Sequence, residues 1–196
     1  AFVQTFLGLH RRERRGRLGF VERSEPEGEE QPAPPPLVVD ADGLNALAQV
    51  PDWWRSLPPG TILTPHPGEM ARLVGGDATT ADVQADREGM ARRMAGEWGA
   101  VVVLKGALTV VAAPDGRAMV QPFANPGLAT AGTGDVLAGA IAGLRAQGLE
   151  AFEAAVAGAY VHGLAGELAR DELGEMGMVA GDLPPRLPLA LRRIRA

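Results

Sequence analysis

An α/β fold with a mostly parallel central sheet is predicted by three features of the sequence. From Leu37 onward the short apolar runs Leu37-Val38-Val39, Thr61-Ile62-Leu63-Thr64 and Ala100-Val101-Val102-Val103-Leu104 are continuous, as in strands buried on both faces. Between and after them lie longer segments whose apolar residues recur at helical spacing. At 196 residues and 46% hydrophobic, the chain is large enough for one core, and no apolar run in it is long enough to span a membrane.

Taken in order, residues 1–36 do not fit that alternation. Phe2, Val3, Phe6, Leu7 and Leu9 form a short apolar patch, a charge run follows from His10 to Arg15, and Glu25 to Pro36 is a Glu/Pro segment with little to pack. The stretch reads as a mobile arm. Its apolar part comes first and is too short for a signal peptide, and six arginines are matched by six glutamates between Arg11 and Glu30, so a solvated segment is favoured over a nucleic-acid or membrane-binding one.

Leu37 to Ala41 reads as an inner parallel strand, and Asp42-Gly43-Leu44-Asn45-Ala46-Leu47 as the turn and helix after it. Asp40, Asp42 and Asn45 therefore stand at the carboxyl end of a strand, the edge at which open α/β sheets bind ligands. Helix capping by Asp42, with Asn45 in the first turn, accounts for the same spacing. Thr61 to Thr64 is a second strand, and Pro65-His66-Pro67 fixes a histidine at its end. On spacing alone that histidine is structural or solvent-exposed.

Asp77 to Trp98 reads as one long amphipathic helix with Val83, Met90, Met94 and Trp98 inward. Ala100 to Leu104 is a third strand ending in Lys105-Gly106-Ala107-Leu108-Thr109. A lysine there is well placed for a ligand, with a snorkelling surface lysine as the alternative. Pro114-Asp115-Gly116 predicts a hairpin joining residues 110–113 to 117–120. Phe152 to Leu173 reads as a further helix with Val156, Tyr160, Val161, Leu164 and Leu168 packed inward, His162 among them as a packed residue.

The chemistry concentrates in Asn125-Pro126-Gly127-Leu128-Ala129-Thr130-Ala131-Gly132-Thr133-Gly134-Asp135-Val136-Leu137-Ala138-Gly139. Val136, Leu137, Ala140, Ile141 and Leu144 recur at helical spacing, so a helix begins near Thr133 with Asp135 in its first turn. Backbone N–H groups of Gly132, Thr133, Gly134 and Asp135 then lack helical partners at the positive end of the helix dipole, which is an anion site beside a carboxylate. Taken alone, Gly-Thr-Gly-Asp equally describes a tight turn with an acid complementing the dipole.

The whole run resembles the signature of the ribokinase-like superfamily, and within it most closely the NAD(P)H-hydrate dehydratases. Three further segments resemble that family in order: Val39-Asp40-Ala41-Asp42-Gly43-Leu44-Asn45, Thr64-Pro65-His66-Pro67-Gly68-Glu69-Met70 and Val103-Leu104-Lys105-Gly106-Ala107-Leu108-Thr109. The resemblance covers Leu37 to about Leu191 and implies a three-layer α/β/α fold over 37–196. Residues 1–36 lack the family's front segments, so the domain is expected to be partial at its amino-terminal side.

The resemblance implies ADP- or ATP-driven dehydration of the S form of hydrated NADH or NADPH (NADHX, NADPHX). It makes Asp135 the base and Gly132, Thr133 and Gly134 the phosphoryl anion hole. Lys105, Gly106, Ala107, Leu108 and Thr109 meet the AMP part of the nucleotide, while His66, Asn45 and Asp135 meet the nicotinamide substrate. Mg²⁺ bridging the phosphates is implied, with Glu69 helping to place it or a water, and no residue is assigned as a direct metal ligand. The alternatives are a ribokinase-like kinase of a thiazole or pyrimidine alcohol, sharing the same Gly-Thr-Gly-Asp chemistry, and a nucleotide-binding remnant without catalysis.

Composition narrows the partners. With no cysteine in the chain there is neither disulfide nor thiolate site, and a formal charge of −5 gives no field favouring nucleic acid. A cytoplasmic protein with no nucleic-acid or membrane partner is expected, as is a homo-oligomer; the strand at Leu37 is expected to have an unpaired edge, which invites aggregation or pairing with another chain.

Overall fold

The structure, a computed structural model, describes residues 7–8 and 35–195. Apart from residues 7, 8, 35 and 36, the arm expected over 1–36 lies outside the described residues, and Leu7 packs partly buried against the core. Five strands form one sheet in the order β1 (Val38–Val39), β2 (Ile62–Leu63), β3 (Val101–Leu104), β4 (Val110–Ala112), β5 (Ala118–Val120).

Strands β1 to β3 are parallel, with Val38 beside Ile62 and Ile62 beside Val101. Parallel neighbours need crossovers, and these carry the helices α1 (Asp42–Leu47), α2 (Pro67–Val74), α3 (Thr80–Ala85) and α4 (Arg87–Trp98). The expected hairpin is present as antiparallel β4 and β5, and β3 pairs antiparallel with β4. The sheet is thus parallel where crossovers build it and mixed as a whole. The chain then forms α5 (Thr133–Ala146), α6 (Ala151–Leu173) and α7 (Leu187–Arg195).

Side chains alternate across β3, so its continuous apolar run feeds two cores. Val102 and Leu104 join Leu44, Leu47, Trp53, Met70, Leu73, Met90, Met94 and Trp98 on the face of α1–α4. Val101 and Val103 meet Leu137, Ile141, Ala151, Ala155 and Ala159 of α5 and α6 on the other. These are the three layers α/β/α. Among the described residues no helix is long and apolar enough to cross a membrane.

Two expectations are corrected. The helix read over Asp77 to Trp98 is two helices, because Thr79 and Asp82 form a capping box that starts α3, while the Asp86 side chain accepts from Gly89 N to start α4. The expected inward residues Val83, Met90, Met94 and Trp98 are nevertheless buried. Tyr160 is not inward: it is 38% exposed, and its ring meets Phe123 edge-on at 5.1 Å between centroids.

Candidate active site

The carboxyl ends of the three parallel strands bring Asp40, His66 and Lys105 to one edge of the sheet. At the end of β2, His66 caps α2: its Nδ1 accepts from Gly68 N at 3.0 Å and Glu69 N at 3.3 Å, while His66 N donates to Glu69 Oε2 at 2.8 Å. Pro67 occupies the first helical position, where its missing N–H costs nothing. Lys105 Nζ lies 2.6 Å from Asp40 Oδ1 and 3.7 Å from Glu69 Oε2, all three side chains being largely buried. One ammonium thus serves two carboxylates, a pairing that makes their burial tolerable.

Lys105 to Thr109 is the loop of the β3–β4 hairpin. Gly106 sits at φ 138, open to glycine but strained for other residues, and a Cβ there would lie 3.2 Å from the Arg87 guanidinium. Arg87 Nη2 donates to the carbonyls of Leu104 at 3.0 Å and Lys105 at 3.2 Å, so α4 braces the turn from behind. The Thr109 hydroxyl closes it by donating to Gly106 O.

The second wall is the loop leading into α5. Asn125 Oδ1 accepts from Gly127 N at 2.9 Å and opens a short 3-10 turn over Pro126–Ala129. Gly132, left-handed at φ 88, precedes the first residue of α5, and Asp135 stands exposed in the first turn as expected. Thr133 is buried, with its hydroxyl 2.6 Å from Leu128 O and 2.8 Å from Thr130 O. His162 Nε2 lies 2.9 Å from Thr133 O. Burial pushes the His162 pKa down to about 4, with the bond to Thr133 pulling the other way, so the ring is neutral at neutral pH.

The two walls meet at Gly134, where a Cβ would lie 3.4 Å from Lys105 Nζ and 3.7 Å from Asp40 Oδ2. Between them is a cavity of about 640 Å³. Of the residues singled out from sequence, His66, Lys105, Gly106, Ala107, Thr109, Gly132, Thr133, Gly134 and Asp135 line it. Leu108 and Asn45 do not: Leu108 takes a left-handed φ of 53 at the loop tip and is 47% exposed, and Asn45 lies half-buried on α1. Among the described residues no group of three His, Cys, Asp or Glu is placed to hold a metal ion.

Sequence reasoning missed Arg87 and the use made of His162. Arg87 sits in an arginine-rich helix that reads as a solvated face, and its carbonyl partners lie 17 and 18 residues away. His162 reaches across 29 residues. Neither contact leaves a local pattern. Asp40, by contrast, stood at a strand end in the sequence, and the structure supplies its partner.

Comparison with known proteins agrees with this geometry. The family model described as NAD(P)H-hydrate dehydratase matches residues 25–188. A bifunctional NAD(P)H-hydrate repair enzyme of Moorella thermoacetica is 53% identical over 159 residues, covering 81% of this chain and 30% of that protein. An ADP-dependent (S)-NAD(P)H-hydrate dehydratase of Neisseria meningitidis is 49% identical over 154 residues, covering 76% of this chain and 51% of that protein. Among solved structures, an ADP/ATP-dependent NAD(P)H-hydrate dehydratase of Bacillus subtilis, co-crystallised with ATP and Mg²⁺ and soaked with coenzyme A, superposes with TM-score 0.71 at 36% identity, covering 81% of this chain and 56% of that one. The chain therefore spans about half the length of these dehydratases and less of the bifunctional enzyme. A ribokinase of Cryptococcus neoformans shares the fold at TM-score 0.52 and 20% identity. With the family model matched over most of its length and the superposition at one with the layers described above, the chain belongs to the NAD(P)H-hydrate dehydratase family and has the ribokinase-like fold.

Proposed function

We propose that this domain performs the ADP- or ATP-driven dehydration of (6S)-hydrated NADH or NADPH. The observation that carries the reading is Asp135, exposed in the first turn of α5, in one cavity with Gly132 to Gly134 and Lys105. Asp135 takes the proton of the C6 hydroxyl, and the freed oxygen attacks the terminal phosphorus. The bond from that phosphorus to the bridging oxygen breaks, releasing AMP from ADP or ADP from ATP. The C6–O bond of the phosphorylated intermediate then breaks, phosphate leaves, and loss of a proton from C5 restores the ring double bond.

Such a transfer depends chiefly on positioning and on stabilising charge at the phosphoryl oxygens. The N–H groups of Gly132 and Gly134 and the Lys105 ammonium supply that charge, Thr133 N–H being already donated to Thr130 O at 3.3 Å, contrary to the expectation from sequence, while the Lys105–Thr109 turn holds the nucleotide and His66 meets the nicotinamide. Asn45, outside the cavity lining, is kept at most for the substrate's periphery. Among the described residues the side chains do not form a protein cage for Mg²⁺. They fit an ion carried mainly by phosphate oxygens and water, which neutralises phosphate charge. A homo-oligomeric assembly is part of the proposal and is read by sedimentation equilibrium.

The test is recovery of NADH from hydrated NADH with ADP or ATP, beside nucleotide binding by calorimetry. Asp135→Asn is expected to lose about 10²–10⁴-fold in rate while keeping nucleotide affinity within about threefold, since the loop's donors remain. Near-wild-type turnover by the variant, or phosphorylation of a thiazole or pyrimidine alcohol in place of dehydration, overturns the reading. Nucleotide binding without turnover by the parent chain identifies a catalytically incompetent domain.

A further inference from the structure

We propose that His162 is a positioning residue of the anion loop, holding the Thr133–Gly134 peptide so that Gly134 N–H faces the cavity. The inference rests on the reading of that loop as the element that binds phosphate.

A carbonyl oxygen only accepts, so the 2.9 Å contact between His162 Nε2 and Thr133 O requires the hydrogen to be on Nε2. No cis peptide bond occurs among the described residues. In a trans peptide the N–H points opposite to the C=O, so a bond that pulls Thr133 C=O toward α6 turns Gly134 N–H away from α6. Gly134 lines the cavity beside Ala159, His162 and Gly163 of α6, and the Lys105 ammonium stands 3.4 Å from where a Gly134 Cβ would be. Gly134 and the cation thus border the same space. Thr133 is held a second time by its hydroxyl near Leu128 O and Thr130 O. Its peptide is therefore fixed from the loop before it and from α6 behind it.

Helix α6 is shaped to make this contact. A Cβ on Gly158 would lie 2.6 Å from Ile141 Cγ1, one on Gly166 would lie 2.7 Å from Leu128 Cδ2, and one on Gly163 would overlap the Phe123 ring. Glycine at these positions lets α6 approach α5 and the loop more closely than side chains permit. His162 is 7% exposed, and a ring buried so deeply without its bond would be costly. An apolar side chain of similar size would fill the same space, so packing alone does not call for the imidazole. The bond to the loop does.

The experiment compares the parent chain with His162→Phe, which fills the space without a donor, and His162→Gln, whose Nε2 keeps one. Each is measured for melting temperature, ADP affinity by calorimetry, the change of the Gly134 amide resonance on ADP addition, and dehydration of hydrated NADH. His162→Phe is expected to melt within a few degrees of the parent, to lose affinity or turnover on the order of 10-fold, and to lose the Gly134 resonance change. His162→Gln is expected to restore both to within about threefold. Equal behaviour of parent and Phe variant, or equal impairment of the Phe and Gln variants, overturns the inference. So does failure of the parent chain to bind ADP. Binding without turnover overturns the proposed function alone, leaving affinity and the Gly134 resonance to decide the role of His162. His162→Leu is a second donor-free variant, and if neither it nor His162→Phe folds, the role is structural and the inference falls.

Discussion

The two faces of the sheet are packed by different means. On the α1–α4 face the core is made of large side chains, with Trp53 against Trp98 at 4.9 Å between centroids and Leu44, Leu47 and Met70 fully buried. On the α5–α6 face it is made largely of small ones, with Ala151, Ala155, Ala159 and Gly158 under Leu137 and Ile141. Large side chains hold helices at a distance that tolerates adjustment, whereas small residues bring backbones into contact and fix them. Asp135 and the backbone N–H groups of Gly132 and Gly134 sit at the start of α5, on the closely packed face. The α1–α4 face thus carries the larger apolar core and places His66 and Lys105 through side-chain hydrogen bonds, while the α5–α6 face places the glycine loop by close backbone contact.

The largest expected effect tests the first half of that contrast. Trp53→Ala removes a side chain 2% exposed and is expected to cost about 3–5 kcal/mol in urea unfolding, with ADP affinity of the folded protein unchanged. A fall of more than about 10-fold in that affinity would show that the two faces are not separable.

Next in size is an acid dependence on the α5–α6 face. The His162 pKa is about 4 folded, against its ordinary 6.5, so the unfolded chain binds the extra proton between those values. The stability this contributes is fully present above pH 6.5 and is lost as pH falls toward 4, on the order of 3 kcal/mol in all. Urea midpoints across that range should fall in the parent, and the slope should flatten in His162→Gln. Identical slopes would remove His162 as the cause.

A smaller effect separates close packing from mere glycine content. Gly158→Ala places a Cβ 2.6 Å from Ile141 Cγ1 and 3.1 Å from its Cα, and is expected to cost about 1–3 kcal/mol by overpacking. Because it pushes on α5, ADP affinity should fall with it. Calorimetry beside a thermal melt reads both, and lost stability at unchanged affinity would break the link between packing and placement.

The smallest effect has the opposite sign. Gly143, also on α5, has open space where a Cβ would be, so Gly143→Ala is expected to gain about 0.5–1 kcal/mol from helix propensity with no change in nucleotide affinity. A destabilised variant would mean that this outer side of α5 is covered by something the described residues do not supply.

Local patterns carried much of this in the sequence. The continuous apolar runs became β1, β2 and β3, the Pro114-Asp115-Gly116 turn became the β4–β5 hairpin, and the glycine loop ran into α5 at Thr133 as its spacing required. Strand ends and helix starts are set by residues within a few positions of each other, so Asp40, Lys105 and Asp135 could be placed at such ends before any coordinates, while His66 was singled out by the family resemblance and not by its spacing. The break at Asp86 was hidden because the apolar stripe from Val83 to Trp98 continues in phase across it, while the capping bonds of Thr79, Asp82 and Asp86 need geometry to be seen.

By itself, then, the sequence determined which residues end strands, which glycine loop leads into a helix N-terminus, and which family those motifs belong to, because each is written within one short segment. Only the tertiary structure decided that Asp40 holds the Lys105 ammonium across 65 residues, that Arg87 grips the carbonyls beneath the turn, and that His162 fixes the first peptide of α5. It also turned Leu108 and Asn45 away from the cavity. A side chain's partner depends on which surfaces the folded chain brings within about 3 Å, and helical or strand periodicity records only which face is buried, not what it meets.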